Sequence, residues 1–110
     1  MSGWYELSKT SNGQFRFVLK AANAETILAS EHYTTLAAAK AGIASVQANS
    51  PHDERYEKKV AKDGKPYFNL KAANHQIIGT SEQYSAEAAR DKGIASVKTN
   101  GPTTQIKEKF

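Results

Sequence analysis

Apolar and polar residues alternate along two stretches that begin 51 residues apart. Tyr5 and Leu7 share one face in the first, and Tyr56, Lys58 and Val60 share the matching face in the second. Side chains of a strand point alternately to the two sides of a sheet, so each stretch predicts a strand. Asn12-Gly13 and Asp63-Gly64 come next, dipeptides that suit the positive φ of a tight hairpin turn. In the second strand Phe15, Phe17 and Leu19 point one way and Arg16, Val18 and Lys20 the other. The copy sets Pro66, Phe68 and Leu70 against Tyr67, Asn69 and Lys71. Pro66 has no amide proton, which assigns it to a strand start or an edge. Asn23 and Asn74 lie in the following turn, where Asn tolerates a left-handed backbone. A third short strand is expected at Thr26-Ile27-Leu28 and again at Ile77-Ile78-Gly79. Three strands with such short turns form an antiparallel meander.

The period then changes. Thr34 and Ser85 are N-cap candidates ahead of an alanine-rich stretch, with Tyr33 and Tyr84 placed to staple onto Ala38 and Ala89. Glu87 complements the dipole of the second helix. Ala38, Gly42, Ile43 and Val46 recur at helical spacing, as do Ala89, Gly93, Ile94 and Val97. A glycine inside a helix costs about 1 kcal/mol relative to alanine. Its presence at both sites predicts a close approach of helix to sheet. Asn49-Ser50-Pro51 and Asn100-Gly101-Pro102 carry helix-stop chemistry. After Pro102, residues 104–110 alternate like an edge strand, and the 51-residue offset sets them against residues 53–59.

Residues 5–51 and 56–102 therefore align without a gap, with 22 of 47 positions identical. A repeat of about 50 residues buries little surface by itself, so the 110 residues are expected to form one domain of two halves, 3–51 and 54–110. The fold class is α+β. Two tandem β-β-β-α(-β) repeats make one antiparallel sheet of six or more strands, with two helices packed on one face. The final strand of a repeat can exchange into the sheet of the other half.

Phe17-Val18-Leu19-Lys20-Ala21-Ala22-Asn23, Ser30-Glu31-His32-Tyr33-Thr34 and Gly42-Ile43-Ala44-Ser45-Val46, each repeated downstream, resemble the YegP-like family of small bacterial tandem-repeat proteins. The resemblance covers nearly the whole chain. It implies a β3-α-β unit used twice, with a shared antiparallel sheet and exchanged C-terminal strands. It implies no activity, cofactor or catalytic residue. The family pattern has glycine after the turn Asn, where this chain has Ala24 and His75.

Composition narrows the chemistry. The chain has no cysteine, which excludes disulfides, thiol catalysis and cysteine-containing zinc sites. The N-terminus, Met1-Ser2-Gly3-Trp4-Tyr5, lacks a basic region followed by an apolar core, and no apolar run reaches the roughly 20 residues that span a bilayer. A cytoplasmic protein with no membrane partner is expected. The net charge of +4 comes mostly from the second half: residues 52–110 carry eleven basic and eight acidic groups, residues 1–51 four and three. That balance permits an anionic partner without requiring one.

Two candidate sites emerge. The first is a doubled loop set before the helices: Asn23, Ser30, Glu31 and Tyr33, matched by Asn74, Ser81, Glu82 and Tyr84. Free amide protons near a helix start favour anions, but the same residues equally serve as turn, cap and packing groups. The second is the sheet face away from the helices, where Trp4, Arg16, Lys20, Arg55, Tyr67 and Lys71 combine aromatic and basic groups that suit single-stranded nucleic acid. Glu6 and Glu57 interrupt that patch. His32, His52 and His75 lack ligand spacing, and no phosphate loop, nucleophile elbow or paired-histidine motif is present. No cofactor or metal is expected. The sequence names neither function nor partner; the favoured reading is a small non-catalytic binding or interaction module, for which a protein is one candidate partner. The alternative is weak single-stranded nucleic-acid binding through the open face. An enzyme acting through Glu31 and Glu82 is a third class.

Overall fold

In a computed structural model describing residues 3–110, each repeat forms three strands and a helix. Met1 and Ser2, part of the N-terminus read above, lie outside the described residues. The first repeat supplies β1 (Trp4–Lys9), β2 (Phe15–Lys20), β3 (Thr26–Ala29) and α1 (Leu36–Asn49). The second supplies β4 (Tyr56–Val60), β5 (Pro66–Lys71), β6 (Ile77–Thr80) and α2 (Glu87–Asn100), followed by β7 (Ile106–Glu108). The strands form one seven-stranded sheet in the order β4-β5-β6-β3-β2-β1-β7. Every pair is antiparallel except β1 with β7, which is parallel. Pro66 starts β5, at its pairing with the edge strand β4.

The halves meet where Ala29 pairs with Thr80. Leu28, 1% exposed, fills the space in front of Gly79, and a Cβ at residue 79 would lie 2.6 Å from Leu28 Cδ2. The register sets Leu28 and Gly79 at equivalent repeat positions. The junction accommodates one leucine, so the repeats differ there. Helix α1 packs on β2 of its own half and on β5 and β6 of the other, while α2 packs on β5, β3 and β2. The core is thus common to both repeats, which is why neither repeat has a complete core of its own.

Each half carries the same aromatic stack. Phe17 lies parallel to Tyr33 (centroids 6.1 Å apart, 11° between planes) and edge-on to Tyr5. Phe68 repeats this with Tyr84 (6.4 Å, 8°) and Tyr56. The tyrosines before the helices also lie across the helix glycines: a Cβ at Gly42 would sit 2.5 Å from Tyr33 Oη, and one at Gly93 2.3 Å from Tyr84 Oη. Ala39, not Ala38, completes the buried face of α1, and Arg90 takes its place in α2.

Caps and turns differ from expectation by about one residue. Thr35, not Thr34, caps α1 by accepting from Ala38 N, and Ala86 precedes α2 without a side-chain cap. At the far ends the first-strand tyrosines exchange. Tyr5 Oη donates to Gly101 O after α2, and Tyr56 Oη donates to Ser50 O after α1, both at 2.6 Å. Each repeat thereby satisfies a terminal carbonyl of the other repeat's helix.

The four hairpin turns share one geometry. In Thr10–Gln14, Ala21–Glu25, Ala61–Lys65 and Ala72–Gln76 the first residue's N–H donates to the last residue's carbonyl, and the fourth residue's N–H donates to the first residue's carbonyl. The third residue, Asn12, Asn23, Asp63 or Asn74, accepts from the last amide through its side chain. These are three-residue loops closed by a left-handed fourth residue, not two-residue turns. The asparagines are not the left-handed residues. Gly13 and Gly64 hold φ +85°, whereas Ala24 and His75 hold φ 71° and 70°. A Cβ in that region costs roughly 1–2 kcal/mol, partly offset by glycine's greater unfolded-state entropy. Ala24→Gly and His75→Gly are each expected to raise stability by about 0.5–1 kcal/mol, read as a higher urea midpoint at unchanged slope. A lower midpoint would show that these turns are relaxed with a side chain.

Candidate functional site

One row of residues crosses the open face from edge to edge: Lys107, Glu6, Val18, Ala29, Thr80, Asn69 and Glu57. The twofold relation of the halves separates the expected aromatic and basic residues. Trp4 pairs across with Lys20, and Tyr67 with Lys59, while Arg16 lies opposite Ser8. The two carboxylates that interrupt the face are partnered. Trp4 Nε1 donates to Glu6 Oε2 at 2.9 Å, and Lys107 Nζ sits 4.1 Å from the indole centroid. The Trp4 hydrogen bond, with help from Lys20, Lys109 and Lys107, holds the Glu6 carboxyl below the usual range. Lys71 bridges to Glu57 at 3.0 Å, which lowers the Glu57 carboxyl likewise. Arg55 precedes β4 with its Nε buried and unbonded among the described residues.

The loop set is occupied by local bonds. Ser30 Oγ accepts from Phe17 N and donates to Glu31 O; Ser81 Oγ accepts from Phe68 N and donates to Glu82 O. Asn23 and Asn74 close turns, as above. Glu31 and Glu82 are exposed. Burial, with Glu31 or Glu82 nearby, raises the Tyr33 and Tyr84 hydroxyls. Residues of both repeats do meet here: Asn23 and Glu25 line a cavity of about 310 Å³ with Glu82 and Tyr84. Among the described residues no group of three or more His, Cys, Asp or Glu is placed to hold a metal ion.

A larger concavity, about 590 Å³, lies between β4 and α2, lined by Asp53, Tyr56, Lys58, Asp91, Ile94 and Lys98. Sequence reasoning did not single it out. Its counterpart in the other half is filled. There β7 runs beside β1, with Tyr5 N donating to Gln105 O and Lys109 N donating to Leu7 O. Lys40 pairs with Glu108, Gln47 Nε2 donates to Thr103 O, and Phe110 packs edge-on to Phe15. The exchange of C-terminal strands therefore goes one way. Of residues 53–59, at the register of 104–110, Asp53–Arg55 form a short 3-10 helix and 56–59 lie in β4 itself, so the repeat 3–51 supplies no trailing strand for the second. Val60 is left 63% exposed. Lys58 and Lys98 instead pair within the groove, with Asp91 and Asp53. Arg90 and then Lys58 hold the Asp91 carboxyl down. The signal that marks the vacancy was present: one segment is required for two roles.

A family model described as a domain of unknown function, DUF1508, matches residues 10–57 and 61–108. The chain belongs to this family. Each match begins after the first strand of a repeat and ends in the strand that follows its helix. The chain is 68% identical over 108 residues to a UPF0339 protein of Shewanella oneidensis and 64% identical to the UPF0339 protein YegP of Escherichia coli O157:H7, with 98% of each chain covered. The solution structure of E. coli yegP, described as a protein of unknown function, superposes with a TM-score of 0.93 at 63% identity, covering 98% of this chain and 93% of that one. The solution structure of a UPF0339 protein from Shewanella oneidensis gives 0.92 at 68% identity, covering 98% and 92%. The resemblance to YegP-like proteins and the α+β tandem fold hold, and none of these descriptions states an activity. No helix of the described residues is long and apolar enough to cross a membrane.

Proposed function

We propose that the two repeats, 3–51 and 54–110, work as one non-catalytic interaction module in the cytoplasm. The groove between β4 and α2 is its binding surface. One observation carries this reading: the equivalent groove between β1 and α1 already holds an extended strand. A groove with the same strand-and-helix walls is suited to the same kind of occupant, an extended strand. Its volume also lies in the range of roughly 300–1,000 Å³ typical of ligand sites. The exposure of Glu31 and Glu82 supports a non-catalytic role, because catalytic carboxylates draw their altered acidity from burial and charged neighbours. The absence of cysteine accords with a reducing compartment.

The open face supports single-stranded nucleic-acid binding less well. Stacking needs a free aromatic face, and Trp4 has Lys107 over its ring. Amide-resolved NMR titrations test both readings. A degenerate pool of octapeptides is expected to move the amides of Lys58, Ile94 and Lys98. A mixed-sequence oligonucleotide at low salt is expected to leave Trp4, Arg16, Lys20, Tyr67 and Lys71 unmoved. Salt-sensitive shifts on the open face with a silent groove would reverse the assignment.

A further inference from the structure

The two edges of the sheet share one backbone register but differ in charge, and that difference specifies the missing strand. Along β1 and its turn, residues 4–14 hold one acidic and one basic group. The matching residues 55–65 hold five basic groups, Arg55, Lys58, Lys59, Lys62 and Lys65, against two acidic ones, Glu57 and Asp63. The four lysines are exposed. The strand seated on β1 is itself slightly basic, with Lys107, Glu108 and Lys109. Lys107 there lies over Trp4 and next to Glu6. In register, the positions flanking Glu57 are Arg55, just before β4, in place of Trp4 and Lys59 in place of Ser8, and Glu57 is already engaged by Lys71. A lysine at the Lys107 position would face two cations; a carboxylate would be attracted to both.

The apolar floor is unchanged. Tyr56 and Ile94 stand at the repeat positions of Tyr5, which pairs with Ile106, and of Ile43. Lys98 replaces Gln47, which donates to a carbonyl of the seated segment, so a donor is kept there. The outer backbone groups of β4 include those of Lys58, in register with Leu7, whose carbonyl accepts from Lys109, and of Val60, in register with Lys9.

We infer that the β4 edge and the groove beneath it accept an extended acidic segment of a partner polypeptide. The segment runs parallel to β4, with an aliphatic residue over Tyr56 and Ile94 and a carboxylate next to it, between Arg55 and Lys59. Main-chain pairing supplies affinity and the alternating side chains supply selectivity, as in other strand additions. A second copy is a poorer occupant. Its β7 brings Lys107 and Lys109 to a basic edge, and an antiparallel β4–β4 contact sets Lys58 and Lys59 against their twins. This inference rests on the proposed binding role of the groove and adds the ligand's charge and direction.

The test uses the full chain and two synthetic peptides. One has the sequence of residues 103–110; the other carries K107E and K109E. The doubly substituted peptide is expected to bind at least about tenfold more tightly at low ionic strength, moving the amides of Lys58, Val60, Ile94 and Lys98. A spin label at its N-terminus is expected to broaden the Asp53–Tyr56 end of the groove, and one at its C-terminus the Val60 end. The protein variant K58E/K59E, altered at two exposed side chains, is expected to reverse the preference. Equal binding of both peptides, or an antiparallel label pattern, would overturn the charge or direction while leaving the groove a binding site. If neither these peptides nor the octapeptide pool moves the groove, the binding role falls as well, and Lys58 and Lys59 act only to keep the edge from pairing. Concentration-dependent dimerisation that protects the β4 amides would assign the edge to a second copy and overturn the inference.

Discussion

Replacing Phe17 or Phe68 with alanine lowers the free energy of unfolding by about 3–5 kcal/mol each. Both rings are essentially fully buried, 1% and 0% exposed. Each is the middle of a three-ring stack, between a first-strand tyrosine and the tyrosine that covers the helix glycine. Truncation removes buried apolar surface and both ring contacts, and leaves a cavity that the rigid sheet cannot close. A domain of this size has roughly 5–15 kcal/mol in total, so either variant is marginal at best. The neighbouring glycines sharpen the test. Gly42→Ala adds a methyl against Tyr33 and Phe17, an overpacking cost of about 1–3 kcal/mol. Once Phe17 is gone, Tyr33 gains room to move, so the two substitutions together should cost less than their sum. Urea unfolding of the four proteins in this cycle measures it. A loss below about 1 kcal/mol for Phe17→Ala, or strict additivity with Gly42→Ala, would show that the stack does not hold the helix to the sheet.

Deleting residues 103–110 is expected to cost about 2–4 kcal/mol. The segment contributes backbone bonds to Tyr5 and Leu7, the Lys107–Trp4 contact and the Phe110–Phe15 edge contact. Its Lys40–Glu108 pair is half-exposed and adds little. Tyr5 and Leu7, both 0% exposed, then become an edge like that of Tyr56 and Lys58. Amide exchange at Leu7 should accelerate toward the rate of its counterpart Lys58, which already lies on an edge, while β5 and β6 remain protected. Unchanged exchange at Leu7 would mean that β7 does not cover that edge in solution.

Much of the fold was legible because its determinants are local. Alternation over Phe15–Leu19 and Pro66–Leu70, helical spacing of Gly42, Ile43 and Val46, and the turn glycines report backbone geometry within a few residues. What shifted was what depends on neighbours in space. Thr34 has cap chemistry, yet the neighbouring Thr35 is the residue that accepts from Ala38 N. Asn23 has the composition of a left-handed residue, yet its side chain closes the turn and Ala24 takes the strained conformation. The candidate residues were less legible than the fold. Trp4 looks free until β7 brings Lys107 over it. Ser30 and Ser81 look available until the strand amides of Phe17 and Phe68 are found on them.

By itself the sequence determined the two repeats, their strands and helices and the shared core, since these follow from periodicity and from an apolar face too small to be buried by one repeat alone; its repeated motifs carried the resemblance to the family. Only the tertiary structure decided which edge is covered. Two equal repeats call for two trailing strands, but the segment that follows α1 becomes β4 and can occupy only one place in the sheet. Chain connectivity therefore breaks the symmetry that the sequence repeats, closing the β1 edge and leaving the β4 edge with its backbone and its groove open.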